Sequence, residues 1–299
     1  MRTARRTEQK SSASISSARS SYSATDLTNA ITIDLDRVRE KANVGIRRAF
    51  VFMGFGVNAA NNSEFAQFNL PSVIDYGFLP REPDASELDE FKEHFRHWVV
   101  GNGLRELEET FALFLDAIFD ACLLAHNTTK PDVKSTTLAL SCTQAGIEKK
   151  LRLLKEHFLV ESDAERHLIS LAKARNCLTH RRGIVSQADF NRTDGFVLSW
   201  YAVDVIFDHK NEAPISLSSH TSTEPITSKE GGKIIAKFEN RERIFGAREV
   251  IDLSAYELRD ICFSQSLITK SYLESAVAFL VSQGIEPRNL QGQETDMQS

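Results

Sequence analysis

Residues 173–185, Lys-Ala-Arg-Asn-Cys-Leu-Thr-His-Arg-Arg-Gly-Ile-Val, close an apolar-periodic helical stretch and set Arg175, Asn176 and His180 in an R-N-x-x-x-H arrangement. A guanidinium is a planar, permanently charged donor fork that matches phosphate oxygens. An imidazole gives and takes a proton near neutral pH. Together they point to phosphate chemistry and, in particular, to a ribonuclease. A plainer account fits the same residues: Arg and His in a last helical turn complement the macrodipole and the unpaired carbonyls, and Gly183 supplies the stop.

Outward from this stretch the pattern is helical on its N-terminal side. Asp84, Ser86 and Glu87 make an acidic helix start, after which Leu88, Phe91, Phe95, Trp98 and Val99 recur at helical spacing. Leu104, Leu107, Phe111, Phe114, Leu115, Ile118, Phe119, Cys122 and Leu123 continue the stripe, with Gly101-Asn102-Gly103 as a point where it kinks or divides. Glu106, Glu109, Asp116 and Asp120 read as the solvated face of this helix, one of them being available to pair with Arg175. A second patch, Ile147, Leu151, Leu154 and Phe158, carries Lys149, Lys150, Arg152 and Lys155 as an outer basic face. The motif helix then opens at Ser162 or Asp163, with Leu168, Leu171, Ala172 and Leu178 on its apolar side.

Past Gly183 the period changes. Phe196–Phe207 and Lys233–Phe238 are β-branched and aromatic runs bounded by turn residues, and Arg241–Phe245 adds an edge strand. Ser254 and Glu257 make a capping box that opens a last helix through Leu258, Ile261, Leu267, Leu273 and Leu280. At the other end, Ile31–Phe52 reads as a helix with a charged face, and Gly54, Gly56, Asn58, Asn61 and Asn62 read as turns. Gly54-Phe55-Gly56 lacks the further Gly and the Gly-Lys-Ser/Thr of a phosphate loop.

The expected fold is mainly α, an up-and-down helical bundle with a small antiparallel β-sheet inserted between the motif helix and the last core helix. The expected divisions are a disordered tail over 1–30 and an N-terminal helix with an irregular segment over 31–85. A helical core with the motif follows over 86–185, then a β insertion over 186–250, a final core helix over 251–284 and a polar tail over 285–299. The Ser-, Ala- and Arg-rich tail has no amphipathic stripe and so does not read as a transit peptide.

Composition bounds the function. A net charge of −5, with 41% hydrophobic and 26% charged residues, describes an ordinary soluble chain and argues against a broad electrostatic grip on nucleic acid. Any RNA site must be local. Cys122, Cys142, Cys177 and Cys262 have neither metal-ligand spacing nor a C-x-x-C pair, which points to reduced, buried thiols in a cytoplasmic protein. The apolar stretch Phe111–Ala125 is too short and too often charged to span a bilayer. His94 and His97, with Glu90 and Glu93 nearby, read as surface composition rather than a zinc site.

The run ARNCLTHRRGIV, with the preceding WVVGNGLRELEETFALFLDAIF, resembles the HEPN superfamily, helical domains whose motif is Arg, a polar residue, three to five positions and His. The likeness covers about residues 86–185 and the helix near 254–283. It implies metal-independent endoribonuclease activity with no cofactor: attack of a neighbouring 2′-hydroxyl on the phosphate, leaving a 2′,3′-cyclic phosphate and a 5′-hydroxyl. His180 would act as general acid or base, Arg175 would stabilise charge on the pentacoordinate phosphate, and Asn176 would orient one of them. Lys173, Arg181 and Arg182 would hold the RNA. Such ribonucleases join two motifs across a dimer, and some serve as toxins or antiphage effectors restrained by an antitoxin or other partner. In one subgroup a tyrosine two positions after the His is modified; here that position is Arg182.

Geometry adds a constraint of its own. Positions five apart are separated by roughly 140° around an ideal helix and about 7.5 Å along it, so Arg175 and His180 do not face each other on one straight helix. Either the helix ends before His180 or two chains contribute. Two further readings stand beside the enzyme: a non-catalytic module that binds RNA or a nucleotide through its basic patch, and a regulatory or scaffold subunit in which the motif is a structural helix end.

Overall fold

The computed structural model describes residues 32–63, 84–129, 135–209, 213–217 and 231–286. Helix α1 spans Leu35–Asn61, α2 Ala85–Thr129, α3 Ser135–Thr143, α4 Ile147–Phe158 and α5 Glu165–Arg181. Strands β1 (Phe196–His209), β2 (Ile215–Ser216) and β3 (Gly232–Phe245) follow, and α6 (Ala255–Ser282) closes the order. The protein is mainly helical, with a three-stranded antiparallel sheet of order β2-β1-β3 between the motif helix and the last helix. The tails expected over 1–30 and 285–299 lie outside the described residues, apart from Ile285 and Glu286.

Caps written in the sequence set several helix starts. Asp84 and Glu87 exchange backbone and side-chain bonds of 2.9 and 3.0 Å at the head of α2. Ser254 and Glu257 do the same for α6. Asp34 accepts from the Arg37 amide at 2.9 Å to open α1.

Several boundaries differ from the sequence reading. Helix α1 continues through Gly54, Gly56 and Asn58, and α2 passes uninterrupted through Gly101-Asn102-Gly103. Gly56 and Gly103 let α1 and α2 approach closely. A Cβ on Gly56 would lie 2.5 Å from the Val99 side chain, and one on Gly103 would lie 2.2 Å from that of Met53. With 45 residues, α2 is roughly 67 Å long and runs antiparallel to α1. The expected pair of strands over 233–245 is one continuous strand, paired with β1 from Phe196↔Phe245 to His209↔Gly232.

Two apolar clusters fill the body and α2 contributes to both. Leu104 and Leu107 pack with Leu171, Leu178, Phe196, Phe245 and Ile261; Phe111, Phe114 and Phe119 pack with Leu154, Phe158, Leu168 and Tyr272. All four cysteines are free and buried, and burial pushes the thiols of Cys122, Cys142 and Cys262 up to about 12. Among the described residues no helix is long and apolar enough to cross a membrane.

The basic face expected on α4 is only partly outward. Lys150 turns into the body, where its ammonium donates to Asp116 of α2 and to the Cys142 carbonyl at 3.0 Å. Asp116 is therefore an internal anchor rather than part of a solvated face, because a buried ammonium needs a carboxylate and carbonyls in place of water. Lys149, Arg152 and Lys155 keep to the outside.

Candidate functional site

Helix α5 buries His167, Leu168, Ser170, Leu171, Ala174, Cys177 and Leu178 and turns its other side to solvent. Asn176 and His180 are exposed and Lys173 is half-buried. Asn176 and His180 are four positions apart, so they share a face, and Lys173, seven before His180, lies on nearly the same line. The helix persists to Arg181, then ends at Arg182 (φ 54°) and Gly183 (φ 80°), whose amide donates to the Cys177 carbonyl at 3.1 Å. His180 is thus inside the helix. The option that α5 stops short of it is closed, and Arg175 and His180 point in different directions within one chain.

Arg175 sits at the edge of that face. Its Nε donates to Glu108 Oε2 at 2.6 Å and its Nη2 to Oε1 at 2.5 Å, with side chains 23% and 15% exposed. The Glu108 carboxylate holds the guanidinium pKa above its ordinary value. Two of the five guanidinium N–H groups are taken up by this one carboxylate.

The partner of Arg175 differs from the acidic residues singled out by sequence: Glu106 lies 3.3 Å from Arg48, Glu109 3.6 Å from Arg105, and Asp116 holds Lys150. The sequence carries only an indirect sign of Glu108. It falls four positions after Leu104 and three before Phe111, on a side of α2 whose neighbouring positions are apolar, and Gly101, seven positions earlier, packs against Leu178 of α5.

The other basic residues divide. Arg181 is ion-paired with Asp189, which is itself buried and accepts from the Ser186 amide and hydroxyl at 2.8 Å each. Arg182 is exposed at the left-handed cap. A cleft of about 460 Å³ lies where α4, α5 and α2 meet, lined by Glu108, Ile147, Lys149, Arg152, Ile169 and Ala172 among others. His94 lies 3.9 Å from Glu90, and among the described residues no His, Cys, Asp and Glu cluster could hold a metal ion.

His167, which no motif marked, pins the first turn of α5 to the sheet. Its Nδ1 lies 2.8 Å from Ser199 Oγ and its Nε2 3.2 Å from Asn240 Oδ1. Burial pushes its pKa down, as it does that of His97. The unfolded chain therefore takes up protons near pH ~6.5 that the folded protein refuses, and stability falls as pH drops below that value. Thermal melts from about pH 7.5 to about 5.5 are expected to show a falling Tm, with a shallower fall in His167→Gln. An equal slope in that variant would remove His167 as a source of the effect.

The chain matches no protein-family model, and no curated protein or solved structure shows significant similarity to it.

Proposed function

We propose that this protein is a HEPN-like, metal-independent endoribonuclease that works as a homodimer. The observation that carries the reading is an imidazole and an amide, His180 and Asn176, exposed together on one face of α5, with the Arg175 guanidinium held by Glu108 on another side of the same helix. In the reaction the 2′-oxygen of one ribose bonds to the adjacent phosphorus while the bond from phosphorus to the 5′-oxygen breaks. One His180 takes the 2′-hydroxyl proton and the His180 of a second chain gives a proton to the leaving 5′-oxygen. The products are a 2′,3′-cyclic phosphate and a 5′-hydroxyl.

Arg175 donates its spare N–H groups to the phosphate oxygens as negative charge builds on them. Asn176 holds a phosphate oxygen or the imidazole in place, while Lys173 and Arg182 add positive potential along the strand. Arg181, tied to Asp189, contributes less. The divergence of Arg175 and His180 on a straight helix favours the dimer, because a single chain supplies one proton carrier where the reaction uses two. Release from an antitoxin or other restraining partner, and action as a toxin or antiphage effector in the cytoplasm, complete the proposal.

The test is RNA cleavage by purified protein in EDTA. Arg175→Ala is expected to reduce the rate by ~10²- to 10³-fold, as loss of one preorganised charge donor does. Arg175→Lys should fare no better, since an ammonium cannot bridge Glu108 and a phosphate with a planar fork. Cleavage that EDTA abolishes, or that survives both substitutions, would overturn the mechanism.

The Glu108 contact also supports a second reading, in which Arg175 is a structural tie between α2 and α5 and the protein binds RNA or a partner without cutting. Salt-dependent RNA binding without cleavage, unchanged by His180→Ala, is its signature.

A further inference from the structure

The cleft where α4, α5 and α2 meet borders the motif through Glu108, the partner of Arg175, and its walls differ in chemistry. Ile147, Ile169 and Ala172 supply apolar surface, while Lys149 and Arg152 supply charge at the rim. Lys149 is exposed with no ion-pair partner among the described residues, and Arg152 reaches Glu156 only at 3.9 Å between two exposed side chains. Such a surface pair is weak and readily exchanged for a phosphate. Two carboxylates stand at the same cleft: Glu108, which Arg175 neutralises, and Glu148, exposed on the first turn of α4 beside Lys149, which leaves Lys149 and Arg152 as a small positive excess. The volume of about 460 Å³ is of the size that takes a small organic group.

The outer face of α5 connects the two places. Ala172 lies four positions before Asn176 and eight before His180, so the cleft opens roughly 12 Å along the helix from the imidazole. The cleft and the imidazole thus lie along one side of α5, with Asn176 between them.

We propose that this cleft is a nucleotide subsite for the single-stranded RNA substrate. It takes a base against Ile169 and Ala172 and the attached phosphate on Lys149 and Arg152. The inference rests on the ribonuclease reading, since it gives that substrate its path, but it concerns binding alone. The two basic side chains make the subsite respond to salt, and the apolar wall makes it tolerant of sequence. Double-stranded RNA, whose bases are stacked and paired, cannot place a base there.

The experiment measures fluorescence anisotropy of a labelled single-stranded oligoribonucleotide with the full chain carrying His180→Ala, over a range of salt. Adding Lys149→Ala and Arg152→Ala, both at exposed positions, is expected to weaken binding and to lower the slope of log K against log salt by about 1.4. Ala172→Trp, which fills the cleft, should weaken binding without changing that slope. Lys270→Ala on α6 serves as the control and leaves both quantities unchanged. Equal affinity and slope with and without Lys149 and Arg152, or no RNA binding at all, would overturn the subsite. Binding that responds as expected in a protein that never cleaves RNA supports the subsite and overturns the ribonuclease proposal alone.

Discussion

His180→Ala is expected to lower RNA cleavage by at least ~10²-fold, the usual scale of a lost general acid or base, with no change in fold. The effect should be larger than for a residue that serves one proton transfer, because in a homodimer one substitution removes both imidazoles. The structure makes this a clean experiment. His180 is exposed and makes no hydrogen bond or ion pair among the described residues, so the substitution leaves no cavity and no orphaned group. Its Tm should stay within the scatter of the wild type, and sedimentation should show the same oligomeric state. Growth and RNA integrity in cells expressing wild type and variant give a second readout: the wild type should degrade RNA where the variant does not. Full cleavage by the variant would exclude His180 as a proton carrier. A folded, RNA-binding wild type that does not cut would instead favour the binding module.

Helix α5 holds Arg175 and His180 about 140° apart, so one chain does not bring the two side chains together. Sequence placed Arg175, Asn176 and His180 at a helix end, and the structure places all three inside α5 with Arg175 turned toward Glu108. Helix ends marked by side-chain chemistry were legible: Asp84 with Glu87, and Ser254 with Glu257. Glycine was an ambiguous guide: Gly183 does follow the end of α5, whereas Gly54, Gly56 and Gly101-Asn102-Gly103 lie inside helices. Gly54 and Gly56 read as turns because glycine breaks exposed helices, yet in α1 Gly56 marks contact with Val99. Lys150 falls three positions after Ile147 and four before Leu154, on the buried stripe of α4, so periodicity bears on its inward turn, but its partner Asp116 on another helix is not legible from it. Glu108 and His167 required knowledge of which helices touch; periodicity gives the face of a helix but not the identity of its neighbour.

The same distinction between glycines yields the second large effect, an opposition of sign within α1. Gly54→Ala should stabilise the protein by roughly 0.5–1 kcal/mol, because alanine is the better helix former and an added Cβ at this exposed position meets nothing within 4 Å. Gly45→Ala makes the same chemical change nine residues earlier and should do the reverse. A Cβ there would lie 1.8 Å from Thr110 Oγ1, 2.4 Å from its Cβ and 2.6 Å from its Cγ2. Thr110 has little freedom to retreat: it is β-branched, and its hydroxyl already donates to the Glu106 carbonyl at 2.7 Å. The helices must part, and with them the packing of Val38, Ala42, Ala49 and Met53 on α2. Overpacking of this kind costs about 1–3 kcal/mol or more, enough to outweigh the gain in propensity. Since α2 also presents Glu108 to Arg175, its displacement should lower cleavage as well as stability. Urea midpoints of the two variants measure the difference directly. A Gly45→Ala protein as stable as Gly54→Ala would mean that α1 and α2 do not pack at this separation, and the orientation of Arg175 by α2 would then lose its support.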